Sequence, residues 1–229
     1  MAQRKVNWFA IGISIAVVVV LIGIGVAVWW GNALANSAGE APDNPAVDAS
    51  TGAIAVGDGP DTVDTYVDFM CPACASFEQA YGPALADLAA DGTITLNIHP
   101  VSILDRASGG TEYSTRAANA AYCVAEDDAD NVLPFVQAMY ANQPSEGGTG
   151  LTDDEIVAIA QGVGASDDVA ECVSDGTYKR FVAAMTRETP LQEGASGVAT
   201  PTIVVNGEVL ANQTDLTGDP QRDIVSRFN

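Results

Sequence analysis

Thr62-Val63-Asp64-Thr65-Tyr66-Val67-Asp68-Phe69-Met70-Cys71-Pro72-Ala73-Cys74 is the stretch whose reading decides the fold. Its first eight residues are β-branched, aromatic and alternating, as in a strand. After the two cysteines, Phe77, Tyr81, Leu85 and Leu88 recur at helical spacing through Ala75 to Ala90. A strand, a pair of thiols three positions apart and a helix therefore follow one another. The first turn of a helix offers unpaired N–H groups and the positive end of the macrodipole, so a sulfur placed there is stabilised as thiolate, the form that attacks disulfides. Cys71 is the expected exposed nucleophile. Cys74, one turn on, is close enough to displace whatever Cys71 captures and is the expected resolving thiol. Pro72 suits an early helical position, where its missing N–H is no loss.

A zinc site would need two further ligands. The chain has only Cys123, Cys172 and one histidine, His99, to offer, and these are far apart in sequence. No metal and no cofactor is expected. His99, at the end of the strand-like Thr93 to Ile98, reads as a surface or packing residue.

Arg4 and Lys5 precede an apolar run from Trp8 to Trp30, long enough at 1.5 Å per residue to cross a hydrocarbon core of about 30 Å. The expected organisation is a cytoplasmic stub at 1–7, a transmembrane anchor at 8–30, a flexible linker at 31–52 and a folded domain at 53–229 outside the membrane. The competing reading is a signal peptide cut near Ala33-Leu34-Ala35, giving a secreted protein. The formal net charge is −21, and after the apolar run seven basic residues stand against thirty acidic ones. Nucleic acid and anionic lipid are poor partners for such a surface.

Cys123 lies in an alanine-rich helical stretch, Thr111 to Ala129, and Cys172 in another, Asp167 to Ser174. In an oxidising compartment the two are expected to pair. Closing a loop of roughly fifty residues contributes about 4 kcal/mol in the chain-entropy treatment. The alternative is a second redox pair relaying electrons to Cys71 and Cys74. Asn131 to Tyr140 and Tyr178 to Met185 carry further apolar helical faces, and Thr152-Asp153-Asp154-Glu155 spells a capping box opening Ile156 to Ala160. Beyond the helices, Thr200-Pro201-Thr202-Ile203-Val204-Val205 leads through Asn206-Gly207, a type I′ hairpin signal, to Glu208-Val209-Leu210. Proline at the start of a strand is tolerated at an edge or where no permanent strand lies alongside.

Asp68-Phe69-Met70-Cys71-Pro72-Ala73-Cys74 and Thr200-Pro201-Thr202 with its trailing Val-Asn-Gly together resemble the DsbA-like branch of thioredoxin-fold disulfide oxidoreductases, especially the membrane-anchored forms of Gram-positive actinobacteria. The resemblance covers most of residues 53–229. It implies an α/β thioredoxin fold with a helical insertion at about 111–190, a cis Pro201 beside the dithiol, and a Thr200 backbone that receives an extended substrate as an added strand. It also implies that Cys123–Cys172 is structural. The expected activity is oxidation of unfolded or reduced exported proteins, with a quinone-coupled membrane partner of the vitamin K epoxide reductase type restoring the disulfide. A reductase or isomerase, for example in cytochrome maturation, and a redox-inactive tethered binding module or holdase are the alternatives. Two departures stand out. Thr65 occupies the place where many relatives carry a buried acid, which leaves proton transfer to water or to Asp64 or Asp68. Ala73 replaces the histidine of the strongest oxidants, and Asp68 nearby would further oppose a thiolate, so a milder oxidant is expected.

Overall fold

In the strand of residues 61–67, alternate side chains are buried and half-buried, the period-2 pattern that sets a sheet between a core face and a wetter one. The computed structural model describes residues 8–35 and 39–228, with side chains of the first stretch described for 17–31. The chain divides into two units, Met1–Ser37 and Ala38–Asn229. In the first, α1 runs from Trp8 to Ala35, apolar all round, and its described large apolar side chains from Val17 to Trp30 are exposed. Within the described residues, no helix is long and apolar enough to cross a membrane.

The second unit holds a five-stranded sheet in the order β1-β3-β2-β4-β5. The strands are β1 (Ile54–Val56), β2 (Asp61–Val67), β3 (Ile94–Pro100), β4 (Thr202–Val205) and β5 (Glu208–Val209). β2 and β3 are parallel, joined by α2 (Pro72–Ala90), and the other pairs are antiparallel. Five helices, α3 (Tyr113–Asp127), α4 (Val132–Ala141), α5 (Asp153–Gly162), α6 (Val169–Asp175) and α7 (Lys179–Arg187), form the insertion between β3 and β4, and a short α8 (Pro220–Asp223) follows β5. The core is continuous from sheet to insertion. Phe69, two residues beyond β2, packs on Phe135 and Tyr140 of α4, and Tyr122 of α3 meets Phe181 of α7 edge-on.

Local signals act where the spacing places them. Thr152 and Glu155 close a reciprocal capping box on α5. Asn206 and Gly207 both have positive φ, as a type I′ turn requires. α2 begins at Pro72, earlier than the apolar spacing indicates, which makes Cys71 the residue capping the helix rather than a residue of its first turn. β4 begins at Thr202, after the proline, and lies between β2 and β5. Pro201 thus stands just beyond the last ladder pair, Tyr66 with Thr202, and costs the sheet no hydrogen bond.

One expectation needs correction. Residues 39–52, read as part of a flexible linker, are bound to the domain. Val47 is buried and bridges Ile54, the Asp48 carboxylate caps the turn at Ser50 and Thr51, and Tyr122 Oη donates to Gly52 O at 2.8 Å. The low apolar content hid this because the segment is held by main-chain carbonyls and turns. His99, read as a surface or packing residue, is a packing one: it is 3% exposed, stacks on Tyr66, and sets Nδ1 3.2 Å from Thr51 O and Nε2 3.0 Å from Asp64 Oδ1.

Candidate active site

The dithiol sits where β2 gives way to α2. Cys71 N–H donates to Asp68 O at 3.0 Å, closing a turn that delivers the sulfur to the helix start. Cys71 O then accepts the first two helical N–H groups, from Cys74 at 3.1 Å and Ala75 at 3.2 Å. Both cysteines are free thiols. Cys71 is only 7% exposed, against the expectation of an exposed nucleophile, because the Thr200-Pro201 segment lies across it: the Cys71 thiol donates to Thr200 O at 3.3 Å. That peptide bond is cis.

The two sulfurs differ sharply in acidity. The Cys74 thiol hydrogen-bonds to Cys71 Sγ and, with the N–H groups of Cys74 and Ala73, draws the Cys71 thiol down to about 6 against the opposing effect of burial. Burial pushes Cys74 well above its ordinary value, and the adjacent Cys71 sulfur pushes the same way. Near neutral pH the pair therefore holds one thiolate, on Cys71, and one proton, on Cys74.

Asp68 is fully buried, and both its oxygens are occupied. Oδ1 accepts from Met70 N–H at 2.9 Å and Ser114 Oγ at 2.7 Å, and Oδ2 from the N–H groups of Ile103 at 2.8 Å and Leu104 at 2.9 Å. Burial raises its carboxyl and these four bonds act in the other direction. It ties the dithiol turn to the loop after β3 and to α3. Asp64, the other carboxylate considered, is bound to His99 and Asn97.

Three residues that sequence reasoning missed come from the insertion. Besides Ser114, Tyr140 Oη donates to Asp68 O at 3.2 Å, and Gln143 Nε2 to both Phe69 O at 3.0 Å and Cys71 O at 2.9 Å. No local signal marked them: Tyr140 lies on the apolar face of α4, and Gln143 just beyond its end. On the other side, Pro201 O accepts from Asn212 Nδ2 at 2.6 Å and Gln192 Nε2 at 3.3 Å, while Thr200 Oγ1 and Asn212 Oδ1 are buried without a partner. An open groove of about 430 Å³ runs past Ala73, Phe77, Pro201, Asn212 and Leu216. Among the described residues, no three His, Cys, Asp or Glu side chains converge as a metal site.

Away from the dithiol, Cys123 of α3 and Cys172 of α6 are joined, with S–S 2.00 Å and Cα–Cα 5.8 Å.

A family model described as thioredoxin matches residues 50–218. The solved DsbA of Mycobacterium tuberculosis, in its reduced form, is 32% identical with a TM-score of 0.62, over 69% of this chain and 84% of that one. The chain belongs to the thioredoxin family, as a DsbA-like thiol:disulfide oxidoreductase. A second M. tuberculosis structure, the reduced form of the disulfide bond oxidoreductase DsbG, is 31% identical with a TM-score of 0.62, over 69% of this chain and 79% of that one. The thiol-disulfide oxidoreductase MdbA of Corynebacterium matruchotii is 26% identical with a TM-score of 0.60, over 78% and 90%. Among curated proteins, the serine/threonine-protein kinase PknE of M. tuberculosis is 32% identical over 163 residues, 68% of this chain. The chain spans 28% of that kinase's length, and the kinase's own activity is not carried over to this oxidoreductase.

Proposed function

We propose that this DsbA-like oxidoreductase works outside the cytoplasm as an oxidase of exported proteins, held at the membrane by the helix over Trp8 to Trp30. Two observations support the location. The apolar run follows Arg4 and Lys5, the charge placement that keeps an N-terminal stub inside, and the Cys123–Cys172 bridge belongs to an oxidising compartment.

The division of protons between the two cysteines carries the catalytic reading. With Cys71–Cys74 oxidised, a substrate thiolate attacks Cys71 Sγ, the S–S bond breaks, and its electron pair passes to Cys74, which takes up a proton. A mixed disulfide on Cys71 results. The substrate's second thiolate then attacks the substrate sulfur of that bond and expels Cys71 as thiolate, the form favoured by the Ala73 and Cys74 N–H groups. The substrate gains a disulfide and the enzyme two electrons. Thr200 and Pro201 receive the substrate backbone alongside Cys71, with the carbonyl of Thr200 freed as the thiol ionises. A quinone-coupled membrane oxidant of the vitamin K epoxide reductase type then restores the disulfide.

A Cys71 acidity near 6 lies between those of thioredoxin, about 7, and the strongest DsbA oxidants, about 3.5. The expected reduction potential accordingly falls between about −270 and −120 mV. Equilibration with glutathione buffers measures it, alongside alkylation of free thiols in intact cells. A resting disulfide and a potential in that interval support the oxidase, whereas a resting dithiol and a potential below thioredoxin's would make it a reductase.

A further inference from the structure

The segment that lies across Cys71 is not fixed by the sheet alone. α7 ends at Arg187 and β4 begins only at Thr202, so Thr200 and Pro201 close an irregular stretch, 188–201, and stand beyond the last ladder pair of Tyr66 with Thr202. Two amide side chains take over. Pro201 O accepts from Asn212 Nδ2 at 2.6 Å and from Gln192 Nε2 at 3.3 Å. Gln192 Nε2 also donates to Thr202 Oγ1 at 3.2 Å, and that hydroxyl in turn donates to Ala199 O at 2.8 Å. The carbonyls on either side of Thr200 are thus tied down, directly or through Thr202, while Thr200 O itself faces the Cys71 sulfur at 3.3 Å.

Asn212 has a firm base. It follows Leu210, which is fully buried and whose N–H donates to Ile203 O at 2.9 Å. The segment it opens is closed at Gly218, whose N–H donates to Tyr81 Oη of α2 at 2.7 Å. The amide can point only one way. With its ends exchanged, an oxygen would stand 2.6 Å from the Pro201 carbonyl, acceptor against acceptor. In the orientation it takes, Asn212 Oδ1 is buried without a partner. Folded proteins seldom leave such an atom, and departures of this kind gather at functional sites. Here the donor on Pro201 O is kept while the acceptor goes unmet. Asn212 also walls the groove that passes Ala73, Phe77, Tyr81, Pro201 and Leu216, which sets it beside the dithiol loop as well as the proline.

We propose that Asn212 and Gln192 are positioning residues for substrate polypeptide: by holding the carbonyls that flank Thr200, they present its backbone to a substrate strand at the depth of Cys71 Sγ. The inference rests on the thiol:disulfide reading and adds to it the side chains that favour a polypeptide over a small thiol. Neither residue takes part in the sulfur exchange. Each acts through the Thr200-Pro201 backbone, so its removal is felt by a substrate with a main chain to pair and not by a thiol without one.

The test compares two reductants of the oxidised full chain, dithiothreitol and an unstructured peptide carrying two cysteines, by rapid mixing and acid quench at pH 7. The proteins are the wild type, Asn212→Leu, Gln192→Leu and the double variant. Each single variant is expected to lower the peptide rate about tenfold, the worth of roughly one hydrogen bond, and to leave the dithiothreitol rate within about twofold. The double variant should lower the peptide rate further. Asn212→Leu puts an apolar group of similar shape in place of the amide and removes the unpartnered oxygen, so its melting temperature should stay level or rise. Gln192→Leu, on the irregular stretch, supplies the reading if Asn212→Leu folds poorly. Peptide rates at the wild-type level in both variants would overturn the clamp. So would peptide and dithiothreitol rates that fall together, which would make the pair a general support of the dithiol. A wild type that exchanges with neither reductant would instead strike the underlying thiol:disulfide reading.

Discussion

The two cysteine pairs of this chain share an element and almost nothing else. Cys123 and Cys172 stand 49 residues apart, join two helices of the insertion and are already bonded. Cys71 and Cys74 stand one turn apart at a helix start, are free, and differ strongly in acidity. A bridge over a long loop restricts the unfolded chain and so suits stability; one over a single turn restricts it little and can open and close at small cost to the fold. What converts the short pair into a reactive one is the asymmetry of its surroundings: N–H groups and a thiol aimed at Cys71, and burial of Cys74.

The largest effect that sharpens this contrast is expected from Cys71→Ser, which should lower exchange with small disulfides by at least about a thousandfold, near 4 kcal/mol of barrier, and leave the melting temperature nearly unchanged. Replacing Cys123 and Cys172 by alanine should do the reverse. Up to about 4 kcal/mol of stability is lost in urea titration, while the refolded protein keeps its exchange rate. Equal loss of exchange in both variants would erase the distinction and revive an electron relay between the pairs. Next comes Asp68→Ala, which leaves three N–H groups and the Ser114 hydroxyl without their acceptor. It should cost about 3 kcal/mol in urea titration.

A smaller, pH-dependent effect isolates Cys71. Iodoacetamide should label it at a rate that rises through pH 6 and levels off by about pH 8, with Cys74 unlabelled throughout. Because the folded thiol lies below its unfolded value of about 8.5, the reduced protein gains stability as pH rises from about 6 toward that value, and loses it again as pH falls through 6. The oxidised protein should lack this slope. The smallest change is Gln143→Ala, which removes two hydrogen bonds to the dithiol turn and should cost about 1 kcal/mol in the same titration.

How far the sequence could be read follows from how local each signal is. The strand, the dithiol and the helix after it declare themselves because alternation, proline and 3.6-residue spacing act over neighbouring residues, and Asn206-Gly207 names its own turn. Cys71's near-complete burial was not legible. It is covered by Thr200, more than a hundred residues on, and no local pattern says which peptide will lie across a helix start. The same holds for Ser114, Tyr140 and Gln143, which reach the dithiol turn from a separate group of helices. Asp68 was visible, but its four donors were not, because they come from the loop after β3 and from α3 as well as from the dithiol turn itself.

The segment ahead of the sheet has a mechanical side. Residues 39–53 are fastened through Val47, Thr51 and Gly52, and they lead into β1, whose one neighbour in the sheet is β3. Tension arriving from the N-terminal direction would be borne first by those fastenings and then by the β1–β3 edge, two strands away from the cis-proline strand β4. A protein tethered at that end could be tugged by whatever it holds without its sulfurs being drawn out of line.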